Sequence, residues 1–184
     1  MKQPWRYSMY KITIALLFTL AIVAPVYALE KASEARLNEV AEKGVHVMPF
    51  NLEKTVHVFS KTKNGGVQQV NVKDASDLEQ LKLIREHLVE ITNDFKQGDF
   101  YKPAKIHGDS MPGLEALRNA QTGQVNIVYK ETPDGAEITY ATEVPELITA
   151  IHQWFDAQLS DHARHAVSGH GHGHDHQHHQ MHDK

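Results

Sequence analysis

The feature that most constrains the fold is a repeated order of patterns: two alternating runs around a tight turn, then a long amphipathic stretch, and later the same order again. In the first occurrence Thr55-Val56-His57-Val58-Phe59 alternates, Asn64-Gly65-Gly66 supplies turn residues, and Val67-Gln68-Gln69-Val70-Asn71-Val72 alternates again. Two such runs about an Asn-Gly pair make a β-hairpin. Asp74 to Ser76 then cap a helix to about Lys96, with Leu78, Leu81, Ile84, Leu88, Ile91 and Phe95 recurring every three or four residues. In the second occurrence Val125 to Tyr129 and Ala136 to Tyr140 flank a Thr132-Pro133-Asp134-Gly135 turn. Pro145 opens a helix that places Leu147, Ile148, Ile151, Phe155 and Leu159 on one side.

The repeat recurs at a spacing of about 65 to 69 residues. It predicts an α+β fold in which two β-β-α units form a four-stranded antiparallel sheet with both long helices on one face, a two-layer sandwich. The domain covers 55–166, with units at 55–97 and 124–166. Between them 98–123 is a Gly- and Pro-punctuated link with a short helix near Leu114 to Ala120. Ahead of the domain, 29–54 holds a short N-terminal helix over Lys31 to Lys43, closed by Gly44, and a lead-in.

The amino end reads as a leader. Lys2, Arg6 and Lys11 precede an apolar run from Ile12 to Val26, which closes on Val26-Tyr27-Ala28, a small-x-small cleavage signature. Some fifteen apolar residues fall short of the roughly twenty that span a bilayer. Residues 1–28 are therefore expected to be a Sec signal peptide, the mature chain periplasmic, and no membrane contact is expected after cleavage. Cleavage removes three of the 19 basic residues and none of the 23 acidic ones, so the net charge moves from −4 to −7. That balance excludes nucleic acid as a partner. The chain contains no cysteine, which excludes thiolate zinc sites, iron–sulfur clusters and thiol catalysis. Any metal must be held by His, Met, Asp or Glu.

Histidine is concentrated at the carboxyl end. His170, His172, His174, His176, His178, His179 and His182 are spaced by Gly171, Gly173, Asp175 and Gln177 within 167–184, a stretch expected to be a disordered, metal-binding tail. Imidazole is a common ligand for copper, zinc and nickel, and alternate glycines let the rings gather around an ion without strain.

Seven further histidines lie in the body. Asp161, His162 and His165 share one side of the last helix, where side chains three or four apart sit next to one another and can share an ion. His107 and Met111 pair imidazole with thioether in the loop His107-Gly108-Asp109-Ser110-Met111-Pro112-Gly113, and His46 with Met48 is a second such pair; both suit Cu(I). His87 and His152 occupy corresponding points of the two long helices, at the border of the core, where they either make core hydrogen bonds or flank a shared polar pocket. Asp156, one turn after His152, is placed to orient it.

Val47-Met48-Pro49-Phe50, the loop from His107 to Gly113, and the run His152-Gln153-Trp154-Phe155-Asp156-Ala157-Gln158-Leu159-Ser160-Asp161-His162 resemble a group of small exported bacterial proteins with His-rich tails. That group circulates under an "aspartate carbamoyltransferase" label, and the similarity covers most of the mature chain. The label's chemistry is not expected here, since that enzyme holds carbamoyl phosphate with an arginine-rich motif at a helix N-terminus. This chain has only Arg6, Arg36, Arg85, Arg118 and Arg164, with no such cluster. The resemblance implies a family and no established activity.

The expected function is binding of transition-metal ions, copper or zinc with nickel as a further option, for buffering, delivery or resistance. A metal transporter or a recipient metalloprotein would be the partner. Two alternatives are a periplasmic module binding a small molecule or a protein, and a hydrolase-type enzyme centred on His107, Asp109 and Ser110.

Overall fold

The computed structural model describes residues 31–169, so the expected leader, residues 1–28, and the seven tail histidines lie outside the described residues. The architecture is α+β, with a five-stranded mixed sheet rather than the four-stranded antiparallel one expected. Strands β1 (Thr55–Thr62) and β2 (Gly65–Val72) form the first hairpin, and β3 (Asn126–Thr132) and β4 (Gly135–Ala141) the second. The second strands of both hairpins join antiparallel, with Val70 opposite Ala136. The fifth strand, β5 (Ala166–Ser168), lies parallel to β1 and gives the order β3-β4-β2-β1-β5. Three residues are too few to show an alternation, so β5 is invisible to periodicity. It carries the sheet past residue 166, where the sequence placed the end of the domain.

Alternation decides which side of the sheet is covered. Thr55, His57 and Phe59 of β1, Gln68 and Val70 of β2 and Ile138 and Tyr140 of β4 are buried, while their neighbours Val56, Val58, Gln69 and Thr139 are only half-buried. The covered side packs against α2 (Leu78–Lys96) and α5 (Pro145–Asp161). Phe155 of α5 meets Phe59 at 5.1 Å between ring centroids, and Phe95 of α2 meets Tyr140 at 6.3 Å. At the centre Trp154, 1% exposed, stands edge-on to Phe95, Phe100 and Tyr140. Among the described residues no helix is long and apolar enough to cross a membrane.

Each long helix is fastened to the other unit's hairpin. Arg85 of α2 donates to the carbonyl oxygens of Thr132 (2.7 Å) and Gly135 (3.2 Å), at the turn between β3 and β4. His152 of α5 places Nε2 2.9 Å from the carbonyl oxygens of both Thr62 and Gly65, at the turn between β1 and β2. In each case a helix-borne donor adds a hydrogen bond to the carbonyl groups that flank the turn. The exchange locks the two halves together, and it gives His152 a structural task.

Three shorter α-helices among the described residues pack beside this sandwich. Helix α1 (Glu34–Gly44) is capped by Ser33, whose hydroxyl oxygen accepts from the Arg36 amide. The link holds two short helices where one was expected, α3 (Tyr101–His107) and α4 (Leu114–Asn119). Pro103 hides α3 in the sequence, yet it falls in the first turn, where no intrahelical N–H is required. Gly113 (φ +77°) begins α4 so close to α5 that a Cβ there would lie 2.1 Å from the Ala150 carbonyl oxygen. Only glycine meets both conditions.

Candidate functional site

The alternation that buries Phe59 also buries His57, two residues earlier on β1. Around it the fold gathers three more imidazoles from separate elements: His87 from α2, His107 from the end of α3, and His162 from the cap of α5. All four are buried. They line a cavity of about 50 Å³ together with Met48, Gln68, Trp154 and Gln158. A space of that size holds a few water molecules.

Three of these rings touch in series. His107 Nδ1 lies 2.8 Å from Asp161 Oδ2, and His107 Nε2 lies 3.1 Å from Nε2 of His162. The His162 ring stacks on His57 at 5.5 Å with 5° between planes. Arg36 of α1 closes the outer end, donating through Nη2 to Asp161 Oδ2 (2.6 Å) and to the His107 carbonyl oxygen (2.8 Å), and through Nε to Asp161 Oδ1 (3.2 Å). The carboxylate accepts from both partners, so the hydrogen-bond network assigns the His107 proton to Nδ1 and a lone pair to Nε2. His107 thus presents a basic nitrogen to His162, in the manner of a carboxylate–histidine support.

Burial sets the charge states. It pushes His57 down to about 4, helped by the nearby His87 and His165 rings, and pushes His87 down to about 4 against the opposing pull of Glu90. Burial also lowers His162 well below the ordinary imidazole range, and lowers His107 although Asp161 acts in the other direction. All four rings are therefore neutral near pH 7. For Asp161 burial works upward, but the hydrogen bonds from His107 and Arg36 outweigh it and hold the carboxyl at about 2. Two buried polar atoms of residues that line the cavity, His57 Nδ1 and Trp154 Nε1, have no side-chain hydrogen-bond partner.

The expected site residues are only partly brought together. His107, His162 and Asp161 meet, but Asp161 faces Arg36 and His107 rather than His165. The turn after α5 folds back through a hydrogen bond from the His165 amide to the His162 carbonyl oxygen, which directs His165 Nε2 toward Glu53 at 3.3 Å. His46 is exposed while Met48 is buried, because the turn closing α1 points them apart. Met111 packs into the apolar core and shares with His107 only the wall of an open groove of about 720 Å³, which Arg36, Ser110 and Asp161 also line. Asp156 pairs with Lys61 at 2.5 Å, not with His152. His87 lines the cavity, whose walls are mostly apolar, and His152 does not, so the two do not flank a shared polar pocket.

The hydrolase arrangement does not assemble. Asp109 is turned outward to Arg118, and both ring nitrogens of His107 are engaged by Asp161 and His162, leaving none for Ser110. Among the described residues no group of three or more His, Asp or Glu side chains is placed to hold a metal ion. Sequence reasoning passed over His57 and Arg36. The signal for His57 was present, since the β1 alternation sets it on the same side as Phe59.

Replacing Asp161 tests how much the network holds. Asp161→Asn keeps the shape but withdraws the charge shared by a half-buried arginine and a buried imidazole, and is expected to cost about 2 to 3 kcal/mol at pH 7 in urea denaturation. A loss under about 0.5 kcal/mol would show that the carboxylate contributes little to the fold.

The fold and site define an α+β domain built around a chain of buried neutral imidazoles. Comparison with protein-family models, curated proteins and solved structures finds no match.

Proposed function

We propose that this chain is an exported, periplasmic protein that binds transition-metal ions, copper or zinc with nickel accessible to the same donors, and that its carboxyl-terminal histidines capture them. The observation that carries the reading is the density of imidazole in the sequence, seven histidines between His170 and His182. Buffering, resistance, or delivery to a metal transporter or recipient metalloprotein are the roles such capture serves. The root of the tail adds support: Gly169 donates its amide to the Phe59 carbonyl oxygen at 2.9 Å, so the histidines begin one residue beyond a fixed point on the sheet.

Imidazole coordinates only when deprotonated, so capture weakens below about pH 6 as rings of ordinary pKa near 6.5 take up protons. Calorimetry of the metal-free mature chain with Cu(II) or Zn(II) is expected to show several ions per chain. A full-length variant with the seven tail histidines replaced by asparagine should lose most of that capacity. Equal stoichiometry in the two proteins sinks the proposal.

A second reading, a module that binds a small molecule or a protein segment, is favoured by the open groove beside Arg36 and Ser110. Its occupant would contact Arg36, and binding would survive loss of the tail histidines.

A further inference from the structure

We infer that the body carries its own Cu(I) site, distinct from the tail, between His107 and His162; the inference rests on the reading that the protein handles transition metals. The facing Nε2 atoms lie 3.1 Å apart in a buried setting, and Asp161 fixes the His107 lone pair toward the gap. Two metal–nitrogen bonds of about 2 Å place the nitrogens roughly 3.3 to 4 Å apart, depending on the angle at the metal. The rings therefore separate by less than about 1 Å, into a cavity that adjoins them. Met48 lines that cavity and offers a thioether, the soft companion that selects Cu(I) over harder ions.

Charge and coordination number both point to the monovalent ion. His57, His87, His107 and His162 are neutral donors, and the one adjacent carboxylate, Asp161, is already balanced by Arg36. The solvation cost of burying an ion rises with the square of its charge, so a divalent ion here is far more costly than a monovalent one. The proton that His162 Nε2 shares with His107 moves to His162 Nδ1 when the ion enters, so that both Nε2 lone pairs face it; two such imidazoles satisfy Cu(I), which accepts two or three ligands, and leave Zn(II) short of its four. His57, 4% exposed, lines the same cavity and stacks on His162.

The test uses two full-length proteins, the wild type and the variant with all seven tail histidines changed to asparagine. Cu(I) is supplied anaerobically against bicinchoninate as competitor. The variant is expected to retain one Cu(I) per chain, and the His107 and His162 ring signals in NMR should shift while those of His152 stay in place. An ion held only by the folded state also raises the thermal midpoint, by about 5 °C or more at a hundredfold excess over Kd. His107→Gln and His162→Gln should each abolish that rise. If the variant retains no Cu(I), or binds it with ring signals and thermal midpoint unmoved, the internal site is overturned and tail capture stands or falls on its own stoichiometry. Loss of multi-ion capture in the wild type with one body-held Cu(I) would overturn the tail reading alone.

Discussion

Acidifying the metal-free protein from pH 7 to pH 4 is expected to unfold the body. His57 and His87 sit at about 4 in the folded chain, because burial opposes their charged form, against about 6.5 once unfolded. Between those values the unfolded chain binds more protons, so stability is fully present above pH 6.5 and falls as pH drops toward 4. Each ring accounts for about 3 kcal/mol over that interval, and the pair together reach the scale of a domain's whole stability, about 5 to 15 kcal/mol. His107 and His162 act in the same direction.

The groups around His87 are mixed, with Glu90 and Asp94 favouring its charge and Lys102 opposing it, and none overcomes burial. Asp161 does not offset the loss, since its contribution holds until pH falls below about 4 toward 2. Far-UV circular dichroism against pH, with urea titrations at pH 7, 6 and 5, reads the effect. Constant stability across that range would mean that the rings gain protons without leaving the core.

Trp154→Ala is expected to cost about 3 to 5 kcal/mol, the usual loss for deleting a buried indole. The ring is enclosed by Phe95, Phe100, Tyr140 and Phe155, contributed by α2, the start of α3, β4 and α5 itself. No single neighbour can move to fill the void, because each is also held by the others: Phe95 stacks on Phe100 at 4.5 Å, and Tyr140 donates its hydroxyl to Gln68 Oε1 at 3.0 Å. Trp154→Phe retains most of the contact and should lose clearly less. The midpoint of urea unfolding checks both, and a loss below about 1 kcal/mol for the alanine variant would contradict the packing described.

Much of this fold is written in periodicity. The hairpins announce themselves through Asn64-Gly65 and Asp134-Gly135, and α2 and α5 through apolar residues at helical spacing. What sequence patterns miss depends on distance along the chain. Nothing near Arg85 or His152 indicates that each reaches into the opposite unit, and nothing near Val167 indicates that it will sit beside Val58. The candidate site divides the same way. Asp161 and His162 stand out as neighbours, but their partners Arg36, His57 and His107 lie 54 or more residues away, and only the assembled fold reveals them. The thioether pairs failed for a local reason, because residues two or four apart at a turn leave in different directions.

The crossed attachment of the two helices has a kinetic consequence. A chain that emerges amino end first completes the first hairpin and α2 early, but α2 has no β3 or β4 to rest on and the first hairpin has no α5 above it. Closure waits until nearly the whole sequence is available, and the pairings that then form are distant ones, which slows folding. Until that moment the two halves stay open, and the polypeptide remains without its closed core.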